Sequence, residues 1–490
     1  MTEKEFNELA STVCEHDDFC GGCVYQGTSY EEQLRIKEEE VKQLVQAEGL
    51  SPLVFDEIEG CPESSRYRYR DKMEYTFGDE VKDGPLCLGM HRPMQFMAVT
   101  TVDHCQLVSE DFNKILRYTL DFCVEKGYSK YHKRKHTGLL RNLVIRQGFH
   151  TNEIIVNVVT SSDGDFAESE WLQGLQALAL DGEIVGVMHT LDDDKADSVK
   201  SDELRIIWGR DYYMEHIMGL DFKVHEFSFF QTNIEAVERL YTKAISLIDD
   251  FNGKNVYDLY CGTGTISQVM AKSAMHVTGV EIVPESVDMA RENAALNGIT
   301  NCDFICGDVF DVLDKASMLE KPDVIVVDPP RVGMMPDAIQ KIASYGVDQI
   351  VYISCNPKSL VKNLSQFTLY GYEVKYLKPF DNFPMTKHVE TVTLLSHQSK
   401  EHVIIGIDTE EVVNDNSLAA PTYKNIKEWI FETYGVKMHT AYIAQVKRKY
   451  GLPMRECSHK SKDKDYVPQV VSVEQEQMIV EALKHFKAIE

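Results

Sequence analysis

Between residues 232 and 400 the chain alternates short apolar runs with longer amphipathic stretches. The runs are NVYDLY, HVTGVE, CDFIC, DVIVVD, QIVYIS, EVKYL and ETVTLL. Strands apolar on both faces, separated by helix-length segments, predict a mainly parallel, doubly wound α/β sheet over 226–400. Residues 66–230 read differently. Short alternating strands and turns, as in EIIVNVVTSSDGD, with helical patches near 110–125 and 165–180, predict a mixed α/β region within a first domain of 1–225. Ahead of it, TSYEEQLRIKEEEVKQLVQA (28–47) sets Leu34, Val41, Leu44 and Val45 at helical spacing behind Ser29, a suitable cap. Polar, acidic DTEEVVNDNSLAAP (408–421) marks a linker, assigned to 401–420, and 421–490 read as a small basic helical domain.

Composition narrows the class. At 490 residues the chain exceeds one core, and 43% hydrophobic with 26% charged residues is an ordinary globular balance. No apolar run has the length of a membrane span, and MTEKEFNELA lacks a signal-peptide core, so a cytoplasmic protein without a membrane partner is expected. Its twelve cysteines then read as reduced thiols, metal ligands or nucleophiles. A net charge of -27 argues against a polyanion held by bulk charge, so nucleic acid would need local basic surfaces.

VYDLYCGTGTISQVMA has the order strand, glycine-rich turn, helix. Gly262 and Gly264 let backbone pass close to a ligand, and Glu281, 19 positions after Gly262, falls where a carboxylate would grip ribose hydroxyls. The third glycine of a dinucleotide fingerprint is missing, which favours a single adenosyl group. Asp258, Glu281, Asp308 and Asp328 all follow predicted strands at their C-terminal ends and should line one crevice. An acidic crevice suits a cationic cofactor such as S-adenosyl-L-methionine. Cys261, in the turn itself, is expected beside that cofactor.

In VYISCNPKSLV an apolar strand stops at Cys355, just before Asn356 and Pro357. DVIVVDPPRVG supplies Asp328 and Arg331 from the neighbouring strand end. A cysteine and carboxylates beside a methyl donor suggest covalent methylation of a pyrimidine. Uracil C5 is too poor a nucleophile unaided, so a thiolate must first add to C6. A base must then remove the C5 proton. Glu390, 35 residues after Cys355 at the start of the last strand, is the expected base, with His388 as rival.

These residues closely resemble the RNA uracil-C5 methyltransferases, over about residues 14–398. The resemblance implies a Rossmann-like catalytic domain using S-adenosyl-L-methionine. Cys355 matches the family nucleophile and Glu390 its proton acceptor. Gln231, Tyr260, Thr265, Glu281, Asp308 and Asp328 match its cofactor or substrate contacts. An RNA cytosine-C5 enzyme would carry a second cysteine where this chain has Arg331, and an adenine N6 enzyme an aromatic after Pro330. A non-catalytic RNA-binding protein is the rival of another class.

CEHDDFCGGCVYQ spaces Cys14, Cys20 and Cys23 as a triplet, and Cys105 is a distant fourth thiol. Zinc usually takes two close pairs, so a triplet plus one favours a 4Fe-4S cluster. The spacing of the radical adenosylmethionine enzymes is absent. The same four positions match the family's ribosomal-RNA branch, which implies 23S ribosomal RNA as substrate, with tRNA the alternative; a monomer is expected. Cys61, Cys87, Cys123, Cys302, Cys306 and Cys457 read as incidental thiols.

SSRYRYRDKMEY alternates Arg66, Arg68 and Arg70 with Tyr67 and Tyr69, which on a strand would put guanidiniums on one face and rings on the other. Residues 126–150 hold seven Lys or Arg and no Asp or Glu. Both stretches suit RNA phosphates and unstacked bases. Residues 421–470 carry ten Lys or Arg against five Asp or Glu. There TAYIAQVKRKYGL resembles the second helix of a helix-turn-helix, with Ile443, Val446 and Tyr450 inward and Lys447, Arg448 and Lys449 outward. Cys14 comes too early for the N-terminal RNA-binding β-barrel of many relatives, so the basic tail is expected to help anchor RNA.

Overall fold

Val324 and Val326 pack into one apolar layer, and Ile325 and Val327 into another. A strand buried at every position is what a sheet covered on both faces requires. In the computed structural model, which describes residues 2–195, 202–315, 321–397, 423–434, 436, 438, 440–450 and 473–486, this strand lies inside an eight-stranded sheet. The order across it is Val54–Phe55, Tyr372–Phe380, Glu390–His397, Gln349–Ser354, Val324–Val327, Asn255–Leu259, His276–Glu281, Cys302–Cys306. Neighbours are parallel except at Glu390–His397, which runs antiparallel to both its partners. All seven runs seen in the sequence are strands of this sheet, and the expected doubly wound sheet is present with one strand reversed.

Helices Ile234–Ser246, Thr265–Ala271 and Pro284–Leu296 contribute to one apolar layer. Tyr30–Ala47, Val309–Lys315, Pro336–Ser344 and Pro357–Leu369 contribute to the other. The catalytic sheet thus draws its edge strand Val54–Phe55 and one covering helix from the first sixty residues. Ser29 caps that helix as expected. Its buried stripe, however, is Gln33, Lys37, Val41 and Val45, so half of it is polar.

A second, seven-stranded sheet runs in the order Leu86–Arg92, Gln95–Thr101, Lys72–Asp79, Leu140–Gln147, Glu153–Thr160, Glu183–Leu191, Glu203–Gly209. Helices Glu110–Glu125 and Glu168–Gln176, both foreseen, cover it through Phe112, Ile115, Leu116 and Trp171. The Arg-Tyr run is not on a strand. The chain bends through Arg66–Arg68, Arg68 sits at φ +50, and the strand begins only at Lys72. Tyr67 and Tyr69 are buried against Leu107 and Met385, so their rings serve the core and are not open to bases.

The chain divides into units Met1–Lys400 and Glu401–Glu490. In the second, helices Tyr423–Tyr434, Thr440–Lys449 and Val473–His485 share a small core that includes Ile426, Ile430, Ile443, Val446 and Ile479. Ile443 and Val446 face inward as expected, but Lys447 is buried while Tyr450 is exposed, the reverse of the expected pattern. Lys447 stands one turn after Ile443 on the same face, whereas Tyr450 lies beyond the last helical residue, Lys449. The 401–420 linker and Cys457 lie outside the described residues. Among the described residues no helix is long and apolar enough to cross a membrane.

Candidate active site

Strand Gln349–Ser354 is buried throughout and must end at Ser354, because the next elements of sequence start a helix. Asn356 is its N-cap, accepting from the Lys358 N–H at 3.2 Å, and Pro357 occupies the first turn, where no N–H is needed. Cys355 is left in the gap between strand and helix, half-buried. The antiparallel ladder then decides what faces it. Ser354 pairs with Thr391, whose hydroxyl also donates to the Ser354 carbonyl at 3.2 Å. Continuing that register puts Cys355 opposite Glu390, with Cα atoms about 5 Å apart and side chains on one face. The same alternation sets Asp328, one residue beyond the pairing of Val327 with Tyr352, on that face.

The electrostatics agree with this placement. Burial pushes the Cys355 thiol up to about 11; the carboxylates of Glu390 and Asp328 add to that rise and the Arg331 guanidinium opposes it. Burial pushes Glu390 to about 8, again with Asp328 raising and Arg331 lowering it. Burial alone brings Asp328 to about 7. His388 moves the other way, to about 4, through burial and the nearby charges of Arg331, Lys387, Arg70 and Lys37. Between the two candidate bases Glu390 is the stronger by a wide margin.

The glycine turn forms the adjoining crevice. Tyr260 at φ +68, Gly262 at +54 and Gly264 at +73 bend the chain from strand to helix Thr265–Ala271. A Cβ on Gly264 would stand 2.5 Å from the Phe304 ring, so no larger residue fits there. Glu281 reaches back across the crevice, accepting from the Gly262 N–H at 3.0 Å and from those of Ile282 and Val283 at 2.8 and 3.0 Å. Asp308 is exposed and close enough to Tyr260 to help raise its hydroxyl, after burial, to about 12. Asp258 is completely buried and bonded by the Ser267 hydroxyl, so it supports the turn from below and does not line the crevice as expected. Cys261 is buried with its sulfur against Gly279, a packing position.

Gln231 precedes its helix, whose cap is Asn233; the Thr263 hydroxyl donates to the Phe229 carbonyl at 3.4 Å and ties this segment to the turn. Gln231 also bonds the hydroxyl of Tyr241, a buried ring in the field of Asp328, Asp258 and Glu390. Tyr241 went unnoticed in the sequence. Its helical spacing from Val237 and Ala244 marks it as inward-facing, and a buried tyrosine needs a partner.

A second unforeseen feature is the loop before Glu390. Lys37, fully buried, donates to Asp381 at 2.6 Å and to the Phe383 carbonyl at 3.1 Å. The Gln33 carbonyl oxygen accepts from the Met385 N–H at 2.9 Å, Tyr69 donates to the Pro384 carbonyl at 2.9 Å, and the Val24 N–H donates to the Met385 carbonyl at 2.8 Å. These bonds hold Met385 at φ +66. They explain the polar half of the helix stripe: a buried loop needs partners for its backbone.

The four N-terminal thiols gather in one place. Every pair among Cys14, Cys20, Cys23 and Cys105 interacts electrostatically; burial raises all four, and the neighbouring thiols add to the rise of Cys20, of Cys23, to about 12, and of Cys105, to about 11. Among the described residues no group of three or more His, Cys, Asp or Glu side chains is close enough to hold a metal ion. Of the incidental thiols, Cys61, Cys123 and Cys302 are buried, Cys87 half-buried and Cys306 exposed.

The buried carboxyls in and beneath the crevice fix a pH dependence. Asp258, Asp328 and Glu390 are raised above their unfolded values, so the folded protein holds more protons than the unfolded chain. Their contribution to stability is present below about pH 4 and is lost as pH rises through about 7 to 8. The thermal midpoint of ligand-free protein is expected to fall from about pH 6.5 to about pH 8.5, and a bound cation should reduce the fall. Calorimetric scans across that range check this, and a midpoint that rises would refute it.

A profile of the tRNA (uracil-5-)-methyltransferase family matches residues 196–316 and 320–398. An uncharacterized RNA methyltransferase of Clostridium tetani is 44% identical over 373 residues, covering 76% of this chain and 81% of its own. Another from Caldanaerobacter subterraneus subsp. tengcongensis is 44% identical, covering 78% and 84%. Among solved structures, the Pyrococcus abyssi tRNA (uracil-54, C5)-methyltransferase in complex with S-adenosyl-L-homocysteine has a TM-score of 0.63 at 25% identity, covering 77% of this chain and 84% of its own.

Proposed function

The chain belongs to the RNA uracil-C5 methyltransferase family, and from that premise we propose that it converts a uridine in RNA to 5-methyluridine with S-adenosyl-L-methionine as methyl donor. The observation that carries the mechanism is the register that faces Cys355 with Glu390 beside the crevice. Gly262, Gly264, Thr265, Glu281 and Asp308 would hold the donor, and Tyr260, Gln231 and Asp328 would close its site around the base. When bound, the donor supplies an electrophilic methyl group on a cationic sulfur. The fit is chemical, since Asp328 and Glu281 raise the cost of ionising Asp258 and a cation relieves it.

The target base leaves its stack to reach the half-buried thiol. Cys355 Sγ adds to C6 of the uracil, and the electron pair of the C5–C6 double bond moves to C5, which takes the methyl group. The Glu390 carboxylate removes the C5 proton. The double bond re-forms as the C6–S bond breaks, returning Cys355 as thiolate. Asp328 and Arg331 orient the base.

We assign large-subunit ribosomal RNA as the substrate, acted on by a cytoplasmic monomer, because the four gathered cysteines resemble the ribosomal-RNA branch. On this reading Cys14, Cys20, Cys23 and Cys105 would hold a 4Fe-4S cluster. Anaerobically purified protein should then contain about four irons and four sulfides per chain, and stoichiometric zinc would overturn the assignment. A tRNA substrate is the second reading, favoured by the family profile and by the Pyrococcus abyssi enzyme. Labelled donor incubated with unmodified ribosomal RNA and with unmodified tRNA, followed by mapping of 5-methyluridine, decides between them. Product only in tRNA removes the ribosomal assignment, and product in neither removes the activity.

A further inference from the structure

The most basic stretch of this acidic chain forms a built loop on the second sheet. Gly138, at φ +102, permits it: a Cβ there would fall 2.1 Å from the Lys130 carbonyl oxygen. The Gly138 N–H donates to Asp163 at 2.8 Å, and the His132 N–H donates to the Thr137 carbonyl at 2.7 Å. The Arg141 guanidinium lies 4.6 Å over the Tyr131 ring. The turn so held presents Lys133, Arg134 and Lys135 in succession. Arg134 and Lys135 are exposed, and neither makes an ion pair with a described residue.

Beside the turn is a cleft of about 380 Å³ with Phe77, Met97 and Val99 among its apolar lining and Lys130, His132 and Lys133 on its basic side. Asp79, Glu80 and Asp83 also line it, but Asp79 is paired with Lys130 and Glu80 with Arg92, and Asp83 shares the lining with Lys82. What remains is an apolar recess beside a cationic turn, the chemistry that takes an unpaired base and its flanking phosphates.

The cleft and the active site are joined by one strand. The Asp71 N–H donates to the Thr232 carbonyl at 3.0 Å, next to Gln231, and strand Lys72–Asp79 runs from there into the cleft. Eight residues at about 3.3 Å each separate the two ends by about 26 Å. A ligand engaging both places is a polymer.

We propose that this cleft is a second RNA-binding site, holding an unpaired nucleobase of the substrate some distance along the strand from the methylated uridine, with neighbouring phosphates on Lys133, Arg134 and Lys135. The proposal rests on the RNA reading of the active site for its occupant. Its test is binding of polyuridylate at several salt concentrations by the full chain and by the K133A/R134A/K135A variant. Loss of three contacts on a single strand should lower the slope of log K against log salt by about two and weaken binding about tenfold near physiological salt, with the thermal midpoint unchanged. Ala98→Leu, which fills the cleft, should weaken binding without changing the slope.

An unchanged slope and affinity in the triple variant would overturn the proposal. So would competition by uridine monophosphate at the same nucleotide concentration as polyuridylate, since that marks a mononucleotide site. Methylation assays on the same preparations separate the two readings. An active wild type whose triple variant keeps its slope removes the cleft alone, whereas an inactive wild type whose variant loses slope removes the active-site reading and supports the surface.

Discussion

Cys355→Ala is expected to reduce methyl transfer to RNA at least about 10⁴-fold, equivalent to about 5.5 kcal/mol of transition-state stabilisation. The reason lies in the substrate. Uracil C5 becomes nucleophilic only when an electron pair is pushed in at C6, and no other thiol of the described chain stands at this strand end. Cys61 and Cys123 are buried elsewhere, and Cys261 packs under the glycine turn. The side chain is half-buried and small, so the variant should fold with its thermal midpoint shifted by no more than about 2 °C and should still bind the methyl donor. Single-turnover assays with labelled donor check the loss. A variant that retains a tenth of the activity would exclude covalent catalysis by Cys355. For the wild type, kcat/KM should climb steeply with pH up to about 8 and more gently from there toward about 11, because the carboxyl at about 8 and the thiol at about 11 are both protonated at neutrality and both are needed ionised.

Glu390→Gln should give a different failure. The amide keeps the shape but cannot accept the C5 proton, so the methylated base stays bound through its C6–S bond and the product is not released. Turnover is expected to fall by about 10²- to 10⁴-fold, while a protein–RNA adduct accumulates that survives denaturing electrophoresis. Cys355→Ala combined with Glu390→Gln should show no adduct, which identifies the sulfur as the point of attachment. Loss of activity without an adduct would move the proton-accepting role away from Glu390. The same substitution removes a carboxyl that burial holds at about 8, so above that pH the ligand-free variant should be more stable than the wild type.

The two variants share a geometry that only the reversed strand provides. A parallel strand in that position would begin at the edge of the sheet remote from Cys355, and its first residue could not meet the thiol. Antiparallel pairing of Ser354 with Thr391 brings a residue 35 positions later in the chain to face the nucleophile. Lys37 and Gln33 fix the loop before it from a helix more than three hundred residues earlier. That contact turned an apparently simple amphipathic helix into part of the support for the catalytic base.

By itself the sequence determined the alternation of strands and helices, the glycine turn, the strand-end positions of Cys355, Glu281 and Asp328, and the kinship to uracil-C5 enzymes. Those are local properties, set by side-chain periodicity and by residues that stop a strand or permit a turn. Tertiary structure alone decided which strand is reversed, that Asp258 lies beneath the crevice, that Tyr67 and Tyr69 are core, and that Tyr241 and Lys37 belong near the site. Each depends on which buried polar or aromatic group finds a partner from a distant segment, and the requirement to satisfy such groups acts only once the chain has closed on itself.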